Sequence, residues 1–188
     1  MSAVDLSSFA GLGAMLLITV NILLGILIST RYNPRRQWPH RKINVFKLHN
    51  WTAYTALAMA FLHPSLLLLS TTAKFRIVDV LFPLNSPGQR NYNILGATTF
   101  YLLIFVVVTS YFRLQLGRRI WKPLHYFTYV TGAFLFIHGT LIDPNLKNLP
   151  TDFLDGEKLL VEGCCAVVIA ASIWRLRARS PRDLPKSS

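Results

Sequence analysis

The chain has 188 residues, 52% of them hydrophobic, and a formal net charge of +12. Its mean hydropathy of +0.39 is high for a water-soluble domain, and several apolar stretches reach the roughly 20 residues that cross about 30 Å of hydrocarbon. An all-α integral membrane bundle is expected, with little room left for a soluble domain, and the placement of the charge speaks for membrane topology rather than nucleic-acid binding.

Five spans are expected, at about 7–30, 50–70, 93–112, 124–142 and 158–174. The first opens on "MSAVDLSS", which lacks the basic stretch of a secretory leader, and its apolar run is too long for one. "GLGAML" (11–16) reads as helix packing, not a nucleotide loop. A basic segment follows, with Arg31, Arg35, Arg36, Arg41, Lys42 and Lys47; His40 there reads as a surface residue.

The second span is bracketed by His49 and His63, and Pro64 removes one helical hydrogen bond beside the latter. "HPSL" (63–66) at the end of a span is not a flavin motif. The connection 70–92 mixes apolar and charged residues and suits a short interfacial helix over the membrane edge. After the third span a second basic loop carries Arg113, Arg118, Arg119 and Lys122.

The fourth span holds His125 and His138 around the aromatic run "HYFTYVTGAFLFIH" (125–138), with Gly132 in its middle and Gly139 just after. The fifth contains Glu162 and the adjacent Cys164 and Cys165, which point about 100° apart on a helix and read as small packing residues. Trp51, Trp121 and Trp174 suit interfacial anchors. A bundle over 1–176 and a short basic tail over 177–188 are expected, with no internal repeat of useful length.

With five spans, fifteen of the twenty Lys and Arg fall on one side and seven of the eight acids on or near the other. The positive-inside rule then puts the N-terminus outside and the C-terminus inside. Spans two and four run in the same direction, so His49 and His125 share the inner level and His63 and His138 the outer. The levels lie about 20 Å apart along the helices.

Two facing histidine pairs do not suit one zinc ion, which wants three or four converging ligands. Bis-histidine heme suits them, because the porphyrin supplies four nitrogens and the protein two. On this reading the chain binds two b-type hemes, one on His49 and His125 and one on His63 and His138. Arg76 and Arg90 outside, and Arg119 or Lys122 inside, are candidates to meet propionates. On an ideal helix His125 and His138 point about 140° apart, so a tightened turn or a rotation between the cofactor planes is required.

Parallel helices with His-x13-His and then His-x12-His, and a basic approach "RLQLGRRIWKPLHYFTYV" (113–130), resemble the transmembrane cytochromes b of the ferric reductase and NADPH oxidase family over about residues 8–175. The resemblance implies the same four iron ligands and an electron path from an inner-side donor, such as a flavoprotein, to an outer-side acceptor. It implies an integral membrane protein, expected in a bacterial inner membrane. If it is part of an enzyme, this chain is the membrane component of a ferric-reductase-like oxidoreductase. The family commonly has six helices, of which the first is not found here, and many members carry a flavin and NADPH region. No Gly-x-Gly-x-x-Gly after a strand occurs here. Two other readings are a heme- or pigment-binding subunit of a larger redox or photosynthetic complex, and a histidine-lined transporter, which the lack of buried acid partners disfavours.

Overall fold

The computed structural model describes residues 2–30, 44–71, 73–143 and 152–177, and among these the regular structure is entirely helical. That is what a chain in lipid requires, because a helix satisfies its own backbone donors and acceptors where water cannot. The elements are α1 (Ala3–Ser29), α2 (Val45–Leu67), α3 (Ile77–Leu81), a 3-10 turn (Pro83–Asn85), α4 (Arg90–Tyr111), α5 (Arg113–His125), α6 (Phe127–Leu141) and α7 (Gly156–Arg177). His40, most of the first basic segment, Lys147 and nearly all of the expected tail lie outside the described residues.

The leading residues of the chain start α1 by a reciprocal cap. Ser2 Oγ accepts from the Asp5 N–H at 3.1 Å, and Asp5 Oδ2 accepts from the Ser2 N–H at 2.7 Å. Ala10, Ala14, Ile18, Ile22 and Ile26 recur every four residues and are all buried. They form a stripe along which α1 meets α2, α6 and α7. Small residues let α2 come close: Ala56 is fully buried, and a methyl on Gly13 would stand 2.9 Å from Met59 Cε.

Among the described residues three helices are long and apolar enough to cross a membrane by themselves: α1, α4 and α7. The other two expected spans differ for physical reasons. Helix α2 is long enough, but Lys47, His49, Asn50 and His63 lower its hydropathy. The expected span 124–142 is divided, because the chain turns at Tyr126 and leaves α6 with 15 residues. Both nonetheless pack inside the bundle, α2 along α1 and α6 against α4, α1 and α7.

The second basic loop is also a helix. Helix α5 buries none of its residues, has an apolar and a basic side, and breaks at Gly117, whose φ of 69° and ψ of 161° favour glycine. Arg113 at its start stacks over the Phe46 ring of α2, 4.6 Å from the centroid. Cys164 and Cys165 are free thiols packed against the core. Trp51 and Trp174 are exposed on the outside of the bundle, as interfacial anchors would be.

The connection between α2 and α4 is pinned at several points. Tyr101 Oη donates to the Leu81 carbonyl at 2.5 Å, and Gln89 and Asp143 exchange two bonds, at 2.9 and 2.7 Å. Asp79 is buried at 3% exposure and takes the Arg76 Nε–H at 3.1 Å and the Arg76 backbone N–H at 3.0 Å. Those bonds hold the Asp79 carboxyl below the usual carboxylate range. Its contribution to holding α3 is therefore complete above that range and is lost as pH falls through the lowered value. Amide exchange over residues 76–82, corrected for its intrinsic rate, is expected to accelerate at acid pH in the unaltered protein. In Asp79→Asn it should be fast at every pH.

Candidate functional site

His49 stands in the first turns of α2 and faces α1. Its Nδ1 lies 3.0 Å from the Asn21 carbonyl oxygen, and the Asn21 amide donates back to the His49 carbonyl and to Thr52 Oγ1. His125 closes α5 and faces α4, with Nδ1 3.0 Å from Ser110 Oγ. Trp121 stacks on the His125 ring at 5.1 Å and donates its indole N–H to the same hydroxyl at 3.4 Å. It is thus a neighbour of the site and not merely an anchor. The His49 and His125 ring centroids are 6.2 Å apart with planes at 76°. Both rings line one cavity, open on one side, together with Arg113 and Thr131.

At the other end of the bundle His63 Nδ1 lies 2.7 Å from the Ser7 carbonyl oxygen, and Ser7 Oγ donates to the His63 carbonyl at 2.8 Å. His138 Nδ1 lies 2.9 Å from the Tyr92 carbonyl oxygen of α4. Both histidines line a second cavity, of about 1610 Å³ counting its open side. Pro64 lines it as well, in a helix that runs on to Leu67. The α3 connection walls it with Phe75, Asp79 and Leu81.

The partners decide which ring nitrogen carries the proton. A carbonyl oxygen only accepts, so His49, His63 and His138 must each hold their hydrogen on Nδ1. Ser110 Oγ, which accepts the Trp121 N–H, can accept from or donate to His125 Nδ1, so that contact fixes the position of the ring and not its tautomer. No hydrogen bond reaches any of the four Nε2 atoms among the described residues. A neutral imidazole anchored by a hydrogen bond at Nδ1, with Nε2 free, is the arrangement in which histidine binds a metal through Nε2. Two imidazoles whose nitrogens each sit about 2 Å from one metal ion have ring centres about 6 Å apart. The His49–His125 spacing fits that, with no third His, Cys, Asp or Glu converging among the described residues. The residues present therefore fit a group that needs two axial imidazoles and mostly apolar surroundings, as heme does.

The turn at Tyr126 bears on the expected misalignment of His125 and His138. The Tyr126 N–H bonds to Pro123 and the Tyr129 N–H to Tyr126, both three residues back. Such turns advance about 20° further per residue than α-helix, in the direction required. Gly132 faces Ile22 instead of a cavity, whereas Gly139 lines the second one. Arg76 points to Asp79 with 76% of its side chain exposed, and neither Arg76 nor Arg90 lines the second cavity; the lysine that does is Lys158. In the first cavity the lining cation is Arg113, not Arg119 or Lys122.

Sequence reasoning missed the residues that hold the histidines. Ser7 and Gly11 stand against His63, and Asn21 and Gly25 against His49. Tyr92 and Gly96 stand against His138, and Ser110 against His125. Ser7 to Asn21, Gly11 to Gly25 and Gly96 to Ser110 are each separated by 14 residues, the separation of His49 and His63. A search for spacing instead of similarity would have found it.

Residues 10–137 match the family model described as ferric reductase like transmembrane component. The match spans more than half of the chain, takes in His49, His63 and His125, and ends one residue before His138. No curated protein and no solved structure matches.

A methyl added at Gly96 would lie 2.7 Å from His138 Cε1, closer than such atoms approach, whereas one at Gly25 would lie 3.4 Å from His49 Cε1, in ordinary contact. Gly96→Ala is expected to cost about 1–3 kcal/mol of stability through overpacking, and Gly25→Ala to be close to neutral. Unfolding of the detergent-solubilised variants, compared side by side, measures the difference.

Proposed function

We propose that this chain, which belongs to the ferric reductase like transmembrane component family, carries electrons across a membrane through two bis-histidine hemes of b type. Membership makes it an integral membrane module of transmembrane electron transfer, of a kind that binds heme. The finer assignment gives one heme to His49 and His125 on the inner side and the other to His63 and His138 on the outer side. One observation carries it: all four histidines are tied at Nδ1 to a neighbouring helix, and they line two cavities as two pairs.

When bound, heme supplies one-electron chemistry at its iron. The chain's own residues do the rest. The carbonyls of Ser7, Asn21 and Tyr92 and the hydroxyl of Ser110 orient the imidazoles and keep Nε2 available. Residues such as Ile18, Leu103 and Val107 keep water from the space between the helices. His49 and His63 are separated by about 21 Å along α2, so the two sites stand at different depths.

Electrons are proposed to enter at the His49–His125 end and leave at the His63–His138 end. The basic residues of α5 and the end of α7 support an inner-side location for that first end, by the positive-inside rule, with the N-terminus outside. The donor in this reading is an inner-side protein or subunit with flavoprotein chemistry, which delivers electrons one at a time to the first heme. A bacterial inner membrane is the proposed setting, and residues 1–176 the heme-holding bundle.

The purified protein is expected to show sharp b-type bands that intensify on reduction with dithionite, with two hemes per chain. His63→Ala should lose one heme per chain and keep the other. Full heme content and an unchanged spectrum in that variant would refute the ligand assignment, and a colourless unaltered protein would refute heme binding altogether.

A further inference from the structure

We propose that Lys158 is a fixed positive charge that raises the reduction potential of the heme held by His63 and His138. This rests on the two-heme reading. Lys158 stands in the first turns of α7, is 5% exposed, and lines the cavity that His63 and His138 share. Its Nζ donates to the Gly139 carbonyl at 2.9 Å and to the Ile142 carbonyl. Those carbonyls belong to the end of α6, immediately after His138, so the ammonium is anchored within one turn of an iron ligand. Among the described residues no carboxylate pairs with it within 4.0 Å.

A buried ammonium is costly unless something compensates its charge. Two carbonyls and the negative end of the α6 dipole do so in part. One-electron reduction of a bis-histidine heme lowers its net charge by one and changes no bond or proton. A cation held in the same low-dielectric cavity therefore favours the reduced form, whether it acts on the iron directly or by neutralising a propionate. The acids of this cavity set the baseline and do not alter the sign. Asp79 is matched by Arg76 at 3.1 Å, Glu157 accepts from Ser8 Oγ at 3.2 Å, and Asp143 lines the cavity as well; Glu157, Asp155 and Asp143 act on Lys158 through their charge without a contact inside 4.0 Å. Raising the outer potential makes transfer from the inner heme to the outer one more favourable. Lys158 is a positioning residue for charge, not an iron ligand.

The test is a spectroelectrochemical titration of the heme-loaded full chain in detergent. Lys158→Gln keeps a donor for the α6 carbonyls and removes the charge. It is expected to lower the midpoint of one heme, to leave the other in place, and to keep the low-spin bis-histidine spectrum. Lys158→Arg should restore the midpoint. Unmoved midpoints in Lys158→Gln, or equal shifts in Gln and Arg, would overturn the proposal while leaving two-heme binding intact. If Lys158→Gln does not accumulate, Lys158→Arg decides the matter by itself: a midpoint within error of the unaltered protein supports a charge effect, and a displaced one overturns it. Fewer than two hemes in the unaltered protein would instead remove the premise.

Discussion

The bond from each histidine Nδ1 to the helix beside it is the interaction on which the rest of this bundle depends. An imidazole N–H left without a partner in an apolar interior costs roughly 2–7 kcal/mol. Here each is met by a neighbouring helix, at 2.7–3.0 Å. For His49, His63 and His138 the same bond settles three things together: the tautomer, the direction in which Nε2 points, and the distance between the two helices; for His125 it settles the last two. Interhelical hydrogen bonds in membranes contribute only about 0.6 kcal/mol each on average, so their larger effect is on register. A slip of α1 against α2 by one residue would break the bonds to His49 and His63 at once.

That register is used twice. Helix α1 presents Ser7 and Gly11 to His63 and Asn21 and Gly25 to His49; α4 presents Tyr92 and Gly96 to His138 and Ser110 to His125. In each complete case a carbonyl receives the ring and a glycine four residues later gives it room. The exception is informative. Ser110 stands 14 residues after Gly96, at the place where Gly25 stands 14 after Gly11, and its hydroxyl takes the bond that a carbonyl takes elsewhere. Among the four site histidines, His125 is thus the one whose Nδ1 is met by a hydroxyl alone, which Trp121 supports, whereas His63 Nδ1 lies against both the carbonyl and the hydroxyl of Ser7. The two histidine pairs follow one plan and differ in their partners, which on the proposed two-heme reading would give two chemically identical cofactors different properties.

Helix α2 shows why composition and function pull apart here. Its histidines and Asn50 take it below the hydropathy of α1, α4 and α7. Packing along α1 compensates, because the polar groups meet partners inside the bundle instead of lipid. The division of the fourth span has a related cause: the turn after Pro123 tightens the chain between His125 and His138, whose separation is one residue shorter than that of His49 and His63.

Apolar stretches and basic loops, read as sequence alone, determined an all-helical membrane protein. The matched histidine spacings, with the resemblance they carry, pointed to four candidate ligands, because helical rise and span direction convert residue number into depth. They did not reveal Ser7, Asn21, Tyr92 or Ser110, since a backbone carbonyl has no signature in the residue that bears it. Nor did they distinguish Gly11, Gly25 and Gly96 from ordinary packing glycines. The expected cations were misplaced for a similar reason. Arg76 was a candidate to meet a propionate, but the fold sets Asp79 beside it, and α7 brings Lys158, which sequence analysis had not singled out, against the end of α6. Which helix faces which, and therefore what each ring nitrogen touches, depends on contacts between residues far apart in the chain, and only the tertiary structure decided them.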